Sequence, residues 1–344
     1  MVLRILRGFA LVLCLMATPA LSASAAESGQ RSIPGTISPQ AQAVLEKLYA
    51  SRQIEMKVPQ PEDVAAWKAL HALVDKQRSA PTSKFLATAP VTITETKAGG
   101  IPVLDIRPHG WTETPDLLVY IHGGAFTLLS ARSTADNAAL MSLATGLRVI
   151  SIDYTNPPAA RWNNIQGQIM AVFDALLQRG HRMDRMAVYG DSAGGNLVVR
   201  SVLNLRDAGK GSPTAVVLFS PWADLTDSGD TAITLKEADP TLSYANLLAN
   251  SAQAYAGGLD LRDPRVSPLF ADFTKGFPPT LIQEGTRTIF LSTSVRLYQA
   301  LKAAKAEAVI DMHEGMWHVF QVAPIPEAGL ALAEAARFIR SRLQ

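Results

Sequence analysis

No stretch of this chain limits its possible folds more than Tyr189-Gly190-Asp191-Ser192-Ala193-Gly194-Gly195. The apolar run Met186-Ala187-Val188 precedes it and Asn196-Leu197-Val198-Val199 follows it. The order reads as a buried strand, a hard turn at Ser192 and then a helix. Gly190 and Gly194, on either side of the serine, let the backbone double back where side chains would collide. Such a corner lifts the serine hydroxyl above the end of a sheet, where a nucleophile is useful. The plain alternative is a glycine-rich turn whose serine caps the helix, and the rest of the chain must separate the two.

The length of 344 residues, with 48% hydrophobic and 18% charged, suits one large α/β domain with its own core. Residues 1–25 carry Arg4 and Arg7, an apolar run from Phe9 to Met16, Thr18-Pro19-Ala20 and the small-residue end Ala23-Ser24-Ala25. This is the pattern of a secretory signal peptide, with an apolar run too short for a permanent membrane anchor. A periplasmic or secreted protein is therefore expected. The formal charge of +2 includes the leader's two arginines. The mature chain would be close to neutral, which offers nothing to nucleic acid or an anionic membrane. The single cysteine, Cys14, lies inside the leader behind Leu13, where a lipoprotein signal would have a small residue. Neither lipid attachment nor a disulfide is expected, and the core must hold the mature chain alone. A cysteine metal site is excluded, and no pair of the six histidines has a convincing ligand spacing.

Residues 26–40 are polar, with Gly29, Pro34, Gly35 and Pro39, and read as a mobile mature N-terminus. Helical spacing runs from Pro39 to Leu48 and from Pro61 to Asp75. Val91 to Thr96, the turn Gly99-Gly100 and Ile101 to Ile106 form an antiparallel hairpin, with His109 and Gly110 in the loop behind it. Leu117 to Ile121, Arg148 to Asp153, Thr214 to Phe219, Thr280 to Gln283 and Ala308 to Met312 are short apolar runs of the kind that parallel strands need. Helical patterns alternate with them at Ile165 to Gln178, after Ser192 to about Ala208, at Phe290 to Lys305 and at Glu327 to Leu343. The alternation predicts a mostly parallel central sheet with helices on both faces. Residues 226–278 lack strand signals, and an insertion of that length is expected to cover the active site. The last helix carries apolar stripes that allow a homodimer contact, although core packing is the more economical use.

A serine becomes a strong nucleophile when a base removes its proton, and the resulting oxyanion needs donors placed in advance. His318, in Glu314-Gly315-Met316-Trp317-His318-Val319-Phe320, sits in the loop after the final strand, where the base of an α/β-hydrolase belongs. His122-Gly123-Gly124-Ala125-Phe126 ends the strand whose loop must supply oxyanion amides, and Ala193 supplies the donor directly after the nucleophile. Gly123, Gly124 and Ala193 are the expected hole. His122 reads as a brace for that loop, while His71, His109, His181 and His313 read as structural.

With these parts assembled, the chain resembles the bacterial hormone-sensitive-lipase family of esterases, in the α/β-hydrolase superfamily. The resemblance runs from about residue 40 to the end. It is carried by His122-Gly123-Gly124, Gly190-Asp191-Ser192-Ala193-Gly194-Gly195, Ser220-Pro221-Trp222-Ala223-Asp224-Leu225, Asp263-Pro264-Arg265, Pro278-Pro279-Thr280-Leu281 and Gly315-Met316-Trp317-His318. It implies cofactor-free hydrolysis of small, short-chain carboxylic esters under a helical cap drawn from about residues 41–85 and 226–278. There are two departures. Ala125 stands where the family has a third glycine, its amide still available. In the register set by Pro278-Pro279, the family's triad carboxylate falls on Thr288, which cannot carry the charge that steadies an imidazolium. Glu284 at the strand end, Asp224 from the preceding loop, or no carboxylate at all are the alternatives, and Glu284 is the leading candidate. Also open are a lactonase or amidase using the same machinery, and a weakly active or non-catalytic binding protein that kept the fold.

Overall fold

The computed structural model describes residues 31–51 and 57–343. The expected signal peptide lies outside them. Eight strands form one sheet in the order β1-β2-β4-β3-β5-β6-β7-β8. They are β1 (Val91–Ala98), β2 (Ile101–Pro108), β3 (Leu117–Ile121), β4 (Arg148–Ile152), β5 (Met186–Asp191), β6 (Ala215–Phe219), β7 (Thr280–Gly285) and β8 (Ala308–His313). β1 and β2 form the antiparallel hairpin and β2 runs antiparallel to β4, while every pairing from β4 onward is parallel. The mostly parallel sheet expected from the alternation is thus present.

The central strands are apolar throughout because both of their faces are covered. Leu117, Val119 and Ile121 point into one hydrophobic cluster with Met186, Val188, Val216 and Leu218. Leu118 and Tyr120 point into the other with Ala187, Tyr189, Val217 and Phe219. Helices α4 (Trp162–Gln178), α5 (Ala193–Asp207) and α8 (Leu291–Ala303) cover the first face. Helices α3 (Ala135–Thr145) and α9 (Pro326–Arg340) cover the second. The apolar stripe of α9 is therefore used in the core.

From β3 the chain crosses to β4 on one side, then returns to β5 on the other. Ligand crevices of open α/β sheets form at the carboxyl ends of strands at such a reversal. The His122 loop leaves β3 there, and Ser192 leaves β5 beside it.

Two features differ from the sequence expectation. Helix α3 gives no periodic signal because nine of its eleven residues are buried, so it has no polar face to set a period. Residues 31–38, expected as part of a mobile N-terminus, are pinned instead. Arg31 pairs with Glu237, Thr36 Oγ1 donates to Glu314 at 2.6 Å and the Ser38 amide donates to Glu327 at 2.7 Å. Ile37 then enters a cluster with Met316, Trp317 and Phe320, joined by Leu45 and Leu48 of α1 (Pro39–Ser51). The N-terminal segment thereby braces the loop that carries His318.

Candidate active site

Ser192 sits at φ 54°, ψ −122°, a conformation costing about 1–3 kcal/mol that persists only where its surroundings enforce it. The enforcement is visible on both sides: its amide donates to Phe219 O and its carbonyl accepts from Trp222 N, each at 2.9 Å. The corner tolerates no side chain, since a Cβ on Gly194 would lie 2.1 Å from Ile121 O and one on Gly190 would lie 2.7 Å from Gly194. The strand-turn-helix reading of this motif holds in full. Ser192 is 6% exposed, at the top of the sheet.

The oxyanion loop stands directly across. Gly123, expected as a donor, aims its amide instead at Asp191 Oδ1 at 3.2 Å, the oxygen that also accepts the Tyr120 hydroxyl at 2.5 Å. Burial pushes the Asp191 carboxyl up, against the lowering effect of these two bonds. Among the described residues, the amides of Gly124, Ala125 and Ala193 have no acceptor. Gly124, Ala125 and Phe126 follow one another at φ 106°, 52° and 63°, a run of left-handed residues. Of the expected donors, Gly123 has its amide engaged, while the amides of Gly124 and Ala193, and of the neighbouring Ala125, are left open. His122 is a brace, as expected. Its Nδ1–H donates to Gly123 O at 2.8 Å, its ring stacks on Tyr154 at 4.3 Å, and burial holds it neutral by lowering its pKa.

Gly124 is the most exacting position of the loop, because a Cβ there would meet Leu128 O at 2.2 Å at a φ hostile to side chains. Gly124→Ala is expected to reduce kcat about 10²–10³-fold, the cost of losing one oxyanion donor. Steady-state kinetics with a matched melting curve checks this.

Helices from both segments expected to form a cap grip the same loop. Helix α2 (Val64–Leu86) brings His71 to Leu129 O at 2.8 Å, Asp75 to the Ser130 hydroxyl at 2.7 Å and Arg78 to Asp136 at 2.7 Å. From the insertion, α7 (Ala249–Ala256) stacks Tyr255 on Phe126 at 3.9 Å and bonds Ser251 to Thr127 at 2.8 Å.

His318 lies in a loop held against the end of β7. The Thr286 amide donates to His313 O at 3.1 Å, the Arg287 amide to Met316 O at 2.9 Å, and the Gly315 amide to Thr286 Oγ1 at 2.8 Å. Its ring stands edge-on to Phe290 at 5.2 Å and 85°, and Phe290 in turn stacks on Trp222. The turn from Phe219 to Trp222, which grips Ser192, also takes the Val319 amide on Ser220 Oγ at 3.2 Å. Ser192 and His318 are thus drawn to one turn, and no hydrogen bond joins their side chains.

Nδ1 of His318, the nitrogen that a triad carboxylate would engage, is buried with no hydrogen-bond partner among the described residues. Burial alone lowers the imidazole to about 3, with no carboxylate acting on it. Glu284 is fully buried and engaged elsewhere: Oε1 accepts the Gly285 amide at 3.0 Å, Oε2 accepts the Ser294 hydroxyl at 2.7 Å, and Ser220 adjoins it. Asp224 accepts from Thr226 and pairs with Arg296 at 2.6 Å. Thr288 Oγ1 accepts the Phe290 amide at 3.1 Å. A further carboxylate that the sequence did not single out, Asp239 of the insertion, is also buried and accepts the amides of Ile289, Thr241 and Leu242. Its only sequence signal is the Asp239-Pro240 turn. The structure brings none of these groups to Nδ1, so Glu284, the expected acid, does not contact the imidazole.

These shifts have opposite signs for stability. Between the ordinary 6.5 and about 3, the unfolded chain protonates His318 and the native chain does not, so acidification there destabilises the fold. Burial raises Glu284 from 4.5 to about 7, so across that window the native chain holds the extra proton and acidification stabilises. Stability from these two groups is expected to be nearly flat from pH 6.5 to 4.5 and to fall below it. Glu284→Gln should instead decline from pH 6.5 downward, and urea midpoints across pH read the difference.

The α/β-hydrolase fold family model matches residues 118–322. An esterase of Acinetobacter venetianus is 34% identical over 227 residues, 65% of this chain and 75% of the relative. An acetyl-hydrolase of Streptomyces hygroscopicus is 34% identical over 226 residues, with the same coverage of each chain. Among solved structures, esterase E25 superposes with a TM-score of 0.84 at 27% identity, covering 96% of this chain and 99% of its own. An esterase from the bacterial hormone-sensitive lipase family gives 0.79 at 26% identity, covering 89% and 99%. The chain belongs to the α/β-hydrolase fold family, and its kinship lies with the esterases of the bacterial hormone-sensitive-lipase group.

Proposed function

We propose that this protein is an exported serine esterase that cleaves small carboxylic esters through an acyl-enzyme. Ser192 Oγ attacks the ester carbonyl while His318 Nε2 takes its proton, and the oxyanion settles among the amides of Gly124, Ala125 and Ala193. Collapse releases the alcohol with the proton returned by His318. Water, deprotonated by the same imidazole, then frees the acid and regenerates the serine. The observation that carries this reading is the strained Ser192 corner facing a loop whose Gly124 and Ala125 amides have no acceptor among the described residues. Relatives named acetyl-hydrolase favour a short acyl group.

In this proposal His318 works without a carboxylate, consistent with its unpartnered Nδ1. Losing the acid of a triad costs around four orders of magnitude in kcat and leaves residual catalysis. A slow esterase is therefore expected. The same unpartnered Nδ1 favours the second reading, a hydrolase fold kept for binding. Turnover of p-nitrophenyl acetate by the mature protein, compared with a lactone and an anilide, tests the choice. Ester cleavage above background supports the esterase, cleavage of the lactone or anilide alone redirects the substrate class, and none at all supports the binding reading. Export rests on the leader at residues 1–25 and is tested by the N-terminal sequence of the mature protein.

A further inference from the structure

We infer that Glu284 and Ser220 form a relay that positions His318 through its backbone, so that Glu284 serves the base without touching it. The inference rests on the esterase reading, in which His318 is the base.

Val319, next to His318, is β-branched and sits at φ 51°, ψ 43°. A left-handed backbone costs an L-residue about 1–2 kcal/mol, and β-branching makes it a true outlier. Something must hold it there. Its amide has one partner, Ser220 Oγ at 3.2 Å. Ser220 is itself left-handed at φ 46°, fully buried, and locked by its amide to Gln283 O at 2.9 Å. A hydroxyl that accepts from Val319 still has a proton to place, and the Glu284 carboxyl adjoins it. The Glu284 carboxylate is in turn fixed by the Gly285 amide and the Ser294 hydroxyl. Two donors thus hold one buried carboxylate beside Ser220, and no cation pairs with it among the described residues, an arrangement that orients rather than neutralises. The outcome is a fixed path from β7 through the end of β6 to the peptide that sets the direction of the imidazole. A base displaced by a fraction of an ångström loses much of its effect, so a relay of this kind acts on kcat.

Four variants and two measurements test it. Ser220→Ala is expected to lower kcat about 10- to 100-fold with KM within about twofold, the pattern of misplaced machinery rather than lost binding. Glu284→Leu should do the same, and the double variant should fall no further than either single one. Glu284→Gln, which keeps an accepting oxygen, should retain activity within a few-fold. Hydrogen exchange at the Val319 amide should quicken in Ser220→Ala and Glu284→Leu and stay slow in Glu284→Gln. This second measurement does not depend on turnover, so it still decides the relay if the wild type proves inactive and the esterase reading fails. If Glu284→Leu does not fold, Ser220→Ala and Glu284→Gln carry the test. Unchanged Val319 exchange in Ser220→Ala overturns the relay. So does a loss of three to four orders of magnitude in Glu284→Gln, because that is the signature of a carboxylate acting directly on the imidazole.

Discussion

Replacing Thr288 with aspartate is expected to raise kcat by about two to four orders of magnitude, the range set by removing the acid from a working triad. Thr288 lies between Arg287, whose amide is bonded to Met316 O, and Phe290, whose ring lies against His318. One side is thus tied to the His318 loop through the backbone and the other touches it through a ring. Its hydroxyl accepts the Phe290 amide. One oxygen of an aspartate can keep that bond while the other is free to turn toward the unpartnered Nδ1. The added charge would oppose the burial that now lowers the imidazole to about 3, so the acid limb of kcat/KM should move toward neutral pH in Thr288→Asp. A carboxylate taken out of water costs several kcal/mol before it is paired, so some loss of stability should accompany the gain. Kinetics and melting curves of Thr288→Asp and Thr288→Asn separate charge from hydrogen bonding, since asparagine can fix the ring but not steady the cation. An unchanged kcat in Thr288→Asp would mean that His318 already has an acid.

Ser192→Ala should produce the largest loss, on the order of 10⁴- to 10⁶-fold in kcat for a fully assisted serine. The wild type is expected to be slow, so the variant should be indistinguishable from the uncatalysed reaction. The fold should be untouched. Alanine keeps the Cβ and the strained backbone at φ 54°, and the bonds to Phe219 and Trp222 are made by the main chain. Intact secondary structure with no turnover is the combination to look for.

Much of this architecture is legible in the sequence for a physical reason. Strands buried on both faces must be apolar runs, and β3, β5 and β6 stand where such runs lie. The Ser192 corner is legible because the crowding around Gly190 and Gly194 admits no other residue. Helix α3 is illegible because burial all round erases its period. The state of the Gly123 amide is not legible, since its acceptor is Asp191, a neighbour that only the fold brings to Gly123. The acid could not be read at all. Glu284 has the right charge at the right strand end, but its oxygens are taken by Gly285 and Ser294, and this competition is a three-dimensional fact.

The most direct measurement is the intact mass of the mature protein after exposure to a fluorophosphonate, followed by peptide mapping. The Ser192–His318 pair predicts a single phosphonyl adduct, located on Ser192, absent from Ser192→Ala and formed much more slowly in His318→Gln. An adduct elsewhere, equal labelling of Ser192→Ala, or no adduct on the folded wild type would contradict it.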